Sequence, residues 1–423
     1  MWPKVFISLY ALMLVVSPAI RLAGVSGMRG ITGDQVLLIL ILSSTLLFWP
    51  LGFAKAVRAV LTPKTFIGRG YLSIVFIALF TSGARVIFDA SESAPICEVA
   101  RLYGLLRPAL IILLAAVLYR MIKKAEGVDL YQVFMNTLLI FGALSIFLGV
   151  AQGMGIDWAV DFLSNFYTRD LNFEDVLKYG RAYGTFDGQP NVFGTFCGLY
   201  ILLLLNRMKS LTSLLVLAPL IVGAGLGLIF SGSRGALLAL LISIVVWAVL
   251  SRNLYGFLAI AVGGLSAAVI VSIASDLVPP ALMNRLAEAV GLQDSSSVGL
   301  TSSRLPYWTQ TADLFTDEPL RLIWGIPCTL IPPTDNLQLA LAAALGLPGL
   351  LVFMTILIMM GQRQFRAGGP YAIEFLVCLL FLLLNGTSYP TFLNARIGDL
   401  FWMSATLLFL SGSYGGIRCV SSK

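Results

Sequence analysis

The chain has 423 residues, of which 58% are hydrophobic and only 12% charged, with a formal net charge of +7. A water-soluble core of this size cannot hide so much apolar surface, so a soluble fold is excluded and an all-α integral membrane protein is expected. There is no histidine, which removes the commonest general base and zinc ligand, and no two of the five cysteines stand in a CxxC spacing.

A span needs ~20 predominantly apolar residues. Twelve stretches qualify, roughly 5–23, 35–54, 70–88, 104–120, 132–152, 191–206, 211–230, 235–251, 254–275, 336–360, 370–387 and 396–413. The first reads as an uncleaved span rather than a signal peptide, because its charged start is weak (Lys4) and more spans follow. Residues 1–423 thus read as a single polytopic membrane domain.

Charge alternates from one connection to the next. One set of ends and loops holds Lys4, Lys55, Arg58, Lys64, Arg69, Arg120, Lys123, Lys124, Arg207, Lys209, Arg252, Arg363, Arg366, Arg418 and Lys423, against the acids Glu126, Asp129 and Glu374. By the positive-inside rule this set is cytoplasmic, with both termini inside. The opposite set holds twelve arginines and a single lysine, Lys178. Arginine offers a planar fork of donors that suits phosphate and carboxylate, so the outer face is expected to receive an anion such as a diphosphate. The alternative is that each arginine pairs with an outer acid or snorkels to headgroups. Cys97 and Cys328 also fall outside and either form a disulfide or serve as small apolar residues.

Two outer segments are long, 153–190 and 276–334, and loops of that length are usually functional. The second contains Asp276–Leu292 and Ser303–Phe315, both with helical spacing and a mixed face that fits a lid or acceptor region in the membrane interface. No internal repeat relates the two halves, in contrast to many secondary transporters.

Four constellations remain. The run RAYGTFDGQPNVFG, Arg181 to Gly194, stands at the outer entry to the sixth span. Asp187-Gly188 is turn chemistry and Pro190 suits a helix start, but a turn requires none of Arg181, Gln189 and Asn191. The run SGSRG, Ser231 to Gly235, is a short outer turn in which Ser233 can cap the next span, whereas a cap does not need Arg234. Arg304 and Trp308, on an outer amphipathic segment, suit either a sugar ring and an anion or interfacial anchoring. In the fourth, Thr334 or Asp335 makes a normal N-cap, followed by Asn336 and by Gly346 and Gly349, which permit close helix approach or a break within the membrane. No DxD pair, P-loop or HExxH is present, so neither a catalytic metal nor a nucleotide is expected.

In this order the four features resemble the O-antigen ligase and O-antigen polymerase superfamily of bacterial membrane glycosyltransferases. The resembling residues are Gly184 to Asn191 (GTFDGQPN), Ser233 to Gly235, Arg304 with Trp308, and Asp335-Asn336 with Gly346 and Gly349, over about residues 180–350. The resemblance implies a metal- and cofactor-independent enzyme on the periplasmic face of the inner membrane. Its donor and acceptor are glycans carried on undecaprenyl diphosphate, with membrane lipids and a chain-length regulator as further partners and no nucleic acid. Arg234 and Arg304 match the family's two functional arginines. The ligases have a histidine before the Asn of the fourth motif; Asp335 stands there instead, which tilts the reading toward a polymerase with Asp335 as general base. The substrate-binding set is then Arg181, Asp187, Asn191, Ser233, Trp308 and Asn336. The alternatives are a ligase that attaches the glycan to lipid A core or protein, a transporter or flippase, and a cell-wall glycosyltransferase of the shape-and-division type.

Overall fold

The computed structural model describes residues 2–20, 31–61, 66–88, 94–122, 129–167, 181–186, 188–252, 257–258, 260–261, 305–331, 335–368 and 371–412. They are almost wholly helical: α1 (Trp2–Val16), α2 (Gly33–Phe48), α3 (Pro50–Val60), α4 (Phe66–Phe88), α5 (Ala94–Ile122), α6 (Leu130–Gly153), α7 (Asp157–Tyr167), α8 (Pro190–Leu205), α9 (Leu211–Ser231), α10 (Arg234–Ser251), α11 (Leu305–Asp317), α12 (Arg321–Trp324), α13 (Leu337–Ala367), α14 (Ala372–Asn385) and α15 (Ile397–Gly412). A two-residue antiparallel pair, Ala19–Ile20 with Ile31–Thr32, joins α1 to α2.

Six of these helices are long and apolar enough to cross a bilayer, and α2 with α3 makes a seventh if the bent pair is one span. Four shorter apolar helices, α1, α8, α14 and α15, complete a multi-pass membrane protein. The expected span 254–275 lies mostly outside the described residues, as does the helix expected over 276–292. Of the helix expected at 303–315, residues 305–315 form part of α11, and 303–304 lie outside the described residues.

Several edges differ from the hydropathy reading. The first span ends at Val16, ahead of Pro18, which has no N–H for a helical bond. The span expected over 35–54 is instead two helices bent by 117°. Trp49, restricted by the following proline, sits at φ −142°, ψ 55°, and Pro50 starts α3. Segment 153–190 contains an unexpected helix, α7. It buries Ala159, Leu163 and Tyr167 and exposes Trp158, Phe162 and Phe166, the pattern of a helix lying in a membrane interface.

α8 is apolar on all sides and almost every residue from Pro190 to Leu205 is buried. It packs against α9, α10, α14 and α15. Around it α1 packs on α6, α10 on α14, and α4 and α5 join α13 and α15 in one continuous apolar core. The outward faces carry bare apolar side chains: Phe48 is 86% exposed and Val249 71%. Water penalises such a band, whereas lipid does not.

Polar groups collect at the two ends of the bundle. At one end the Tyr131 hydroxyl donates to Glu374 Oε1 (2.7 Å), Arg207 pairs with Glu374 (3.3 Å), and Trp247 Nε1 donates to Asn206 Oδ1 (2.9 Å). Every one of these residues belongs to loops or helix ends that the charge alternation puts on one side. The described residues of the four sequence constellations lie at the opposite end.

Candidate functional site

The Ser231–Gly235 turn is built by its own backbone. Gly232 closes α9 in the left-handed conformation (φ 61°), which glycine adopts without a Cβ penalty, and its N–H donates to Ile229 O (2.9 Å). The Ser231 hydroxyl donates to Leu228 O (2.7 Å) and accepts from Ser233 N (3.2 Å). Ser233 is the N-cap residue of α10, but its side chain makes no capping bond. Arg234 is half-buried as the first residue of α10.

The first constellation wraps this turn. Arg181 donates through Nε to Ser231 O (2.8 Å) and through Nη2 to Asn191 Oδ1 (2.8 Å), so it ties the start of α8 to the turn that carries Arg234. Arg181 and Asn191 thus hold the shape of the turn that carries Arg234. The residues after Arg181 are core. Ala182, Tyr183 and Thr185 are fully buried, Gln152 Oε1 accepts from Tyr183 N (2.9 Å), and Arg396 Nη1 donates to Thr185 O (2.8 Å). Asp187 lies outside the described residues.

The fourth constellation joins the same end through the connection that follows α14. Asn336, not Thr334 or Asp335, is the N-cap residue of α13, accepting from Leu339 N (3.0 Å). Capping therefore does not account for Asp335, which stands half-buried one residue before the N-cap. The other end of the Asn336 amide donates to Thr387 O (3.1 Å), and Leu337 N donates to Gly386 O (2.7 Å). The expected break occurs at Gly346 (φ 69°, ψ 177°), where a Cβ would lie 2.1 Å from Ile323 O. The break frees the Ala343 carbonyl, which accepts from Ile326 N (2.8 Å). Irregular backbone at membrane depth persists where a neighbour supplies such a partner.

Trp308 lies on α11, which packs on α12 and α13, and its Nε1 is buried without a partner among the described residues. Arg304, immediately before α11, is outside the described residues.

Among the described residues, five more arginines of the set expected on the outer side bond groups of the protein, as the alternative reading of them has it, because a buried cation must be paired. Arg85 and Arg101 bond Glu98 at 2.9 and 3.0 Å, and also the carbonyls of Trp324 and Ile326. Arg107 bridges Asp34 and Asp399, 2.6 Å from each. Arg321 pairs with Glu318 at 2.7 Å. Arg396 donates to the carbonyls of Thr185, Val15 and Ser17. Beside this cluster Cys97 and Cys328 form a disulfide, their Cα atoms 6.0 Å apart, which pins the segment after α12 to α5.

One wall of this end was not visible in the sequence. The connection from α14 to α15 supplies Ser388, which packs against Gly235, and Tyr389, whose hydroxyl donates to Gln189 Oε1 (3.0 Å) and accepts from Asn394 Nδ2 (2.8 Å). Asn385 Nδ2 donates to Thr195 on α8 (2.7 Å). None of these side chains is charged, so a reading led by charge passes over them.

A family model described as O-antigen ligase matches residues 219–327, a stretch that includes the Arg234 turn, Arg304 and Trp308. The chain is similar to that family there, which supports the O-antigen ligase and polymerase superfamily. A search of curated proteins finds no match.

Proposed function

We propose that the chain is a polysaccharide polymerase. On this reading it transfers a growing glycan from undecaprenyl diphosphate to a sugar hydroxyl of another lipid-linked repeat, with inversion and without a metal. The observation that carries the reading is the family match over the turn that presents Arg234. The gathering of Asp335 and Asn336 at the same end supports it.

The acceptor hydroxyl attacks the anomeric carbon, a new glycosidic C–O bond forms, and the bond to the diphosphate breaks. Asp335 takes the hydroxyl proton. Arg234 and Arg304 offset the charge on the leaving diphosphate, and preorganised donors of this kind are each worth roughly 2.7–4 kcal/mol of barrier. Arg181 acts at one remove, by holding the Ser231 carbonyl.

The protein is proposed to reside in the bacterial inner membrane with both termini in the cytoplasm and the site facing the periplasm. The Cys97–Cys328 disulfide supports that orientation, because disulfides persist in oxidising compartments. The same donor chemistry serves a ligase, and the description of the matching family favours this as the second reading; Asp335 in place of the ligase histidine favours polymerisation.

The test is a gel of surface and lipid-linked polysaccharide from a deletion strain, with and without the gene restored. Collapse to single repeats, reversed by the gene, is the expected result. Full-length chains stranded on the carrier would make the protein a ligase. An unchanged pattern would remove glycan assembly altogether.

A further inference from the structure

The connection between α14 and α15 runs from Gly386 to Arg396 at the end of the bundle that carries Arg234. It contains no acid, and its single cation, Arg396, is 4% exposed and donates into backbone carbonyls beneath it. Its reachable groups are neutral: Ser388, Tyr389 and Asn394 are half-buried. The two hydroxyls can donate and accept, whereas Asn394 offers its amide N–H, because its Oδ1 accepts from Arg396 N (3.0 Å) and Ile397 N (3.1 Å). Such groups match polyol hydroxyls, which donate and accept, and have no charge to offer a phosphate. They are held in place from below. Asn385 is almost fully buried, donates to Thr195, and its Oδ1 lies 3.3 Å from the Ser388 hydroxyl as acceptor. Gln189 and Asn394 fix the Tyr389 hydroxyl from two sides.

Position makes this more than a polar turn. Ser388 occupies the space that a side chain at Gly235 would fill, so the connection touches α10 at the residue after Arg234. Asn336 bonds the same connection through Thr387 O. A sugar held there would lie next to the turn of Arg234, the residue that the functional reading assigns to the diphosphate.

We propose that this connection is the sugar-recognition wall of the site, in which Ser388, Tyr389 and Asn394 hydrogen-bond hydroxyls of the repeat unit and Asn385 positions Ser388. The proposal rests on the glycosyl-transfer reading of the Arg234 turn.

The experiment uses the full chain in lipid nanodiscs, as wild type and as Ser388→Ala, Tyr389→Phe and Asn394→Ala. Two probes are titrated separately: the carrier-free repeat oligosaccharide of the host's own polysaccharide, and sugarless undecaprenyl diphosphate. Each variant is expected to raise the oligosaccharide Kd by about tenfold, the loss of one or two well-placed hydrogen bonds, and to leave the diphosphate Kd unchanged. Unchanged oligosaccharide binding overturns the proposal. Parallel loss of both probes also overturns it, because the connection would then only shape the site. If deletion of the gene alters glycan length while the variants bind normally, only this proposal falls; if deletion alters no glycan, the functional reading falls with it.

Discussion

A Cβ placed on Gly235 would lie 1.7 Å from Ser388 Oγ and 2.7 Å from Ser388 Cβ, so α10 and the α14–α15 connection meet at a glycine. Serine is too short to swing clear. Gly235→Ala should therefore separate the two walls and destabilise by about 1–3 kcal/mol. Adding Ser388→Gly removes both clashing atoms and should recover most of that loss. A double-mutant cycle on melting temperature in detergent checks it; additive losses would show that the two residues do not touch.

Arg234→Ala should abolish long-chain polysaccharide at normal protein levels, and wild-type polymer would take Arg234 out of the mechanism. Arg234→Lys retains the charge and loses the two-pronged geometry. It should remain severely impaired, whereas full activity would make the residue a point charge only. Chain length on a gel, normalised to membrane protein level, reads both.

Arg107 holds two buried carboxylates, and Asp34 Oδ1 has no partner among the described residues. Removing the guanidinium leaves Asp34 and Asp399 uncompensated inside the bundle. Arg107→Ala should cost about 3–5 kcal/mol and leave little folded protein. Asp34→Asn should be far milder, because Asp399 still pairs with Arg107. Protease resistance of membrane fractions ranks the two.

The Cys97–Cys328 bond spans 231 residues of sequence. Peptide mapping without reductant should recover a cross-linked pair containing both cysteines, and Cys97→Ser should lower stability by about 2–5 kcal/mol. Recovery of free thiols at both positions would remove the disulfide and its support for the orientation.

The membrane character and most span positions were legible because hydropathy depends on composition over ~20 residues, which survives errors of a few residues at each edge. The break at Gly346 was legible for a local reason, a glycine two residues ahead of Pro348 in an otherwise unbroken apolar run. The Trp49-Pro50 bend carried the same kind of signal and was outweighed by the apolar run across it. Helix α7 announced itself only in the four-residue spacing of Ala159, Leu163 and Tyr167, inside a segment read as a loop because of its length. The cap of α13 was placed one or two residues early, at Asp335 or Thr334, because Thr, Asp and Asn are all good caps and only the backbone geometry chooses among them. The pairing of Arg85, Arg101 and Arg107 with Glu98, Asp34 and Asp399 joins residues up to 292 positions apart, which no single sequence displays. The wall formed by Ser388, Tyr389 and Asn394 was invisible for the same reason and carried no charge to draw attention.

The all-round burial of α8 has a consequence for how the protein is made. α14 and α15, which cover part of it, are synthesised well over a hundred residues later. In water a helix so apolar would aggregate during that wait, but in a bilayer its uncovered flank rests against acyl chains that are as apolar as its eventual neighbours. Insertion and assembly are thereby decoupled. A chain truncated after α13 should still enter the membrane and settle with α8 bare to lipid, while the end of the bundle bearing Arg234 lacks its last wall.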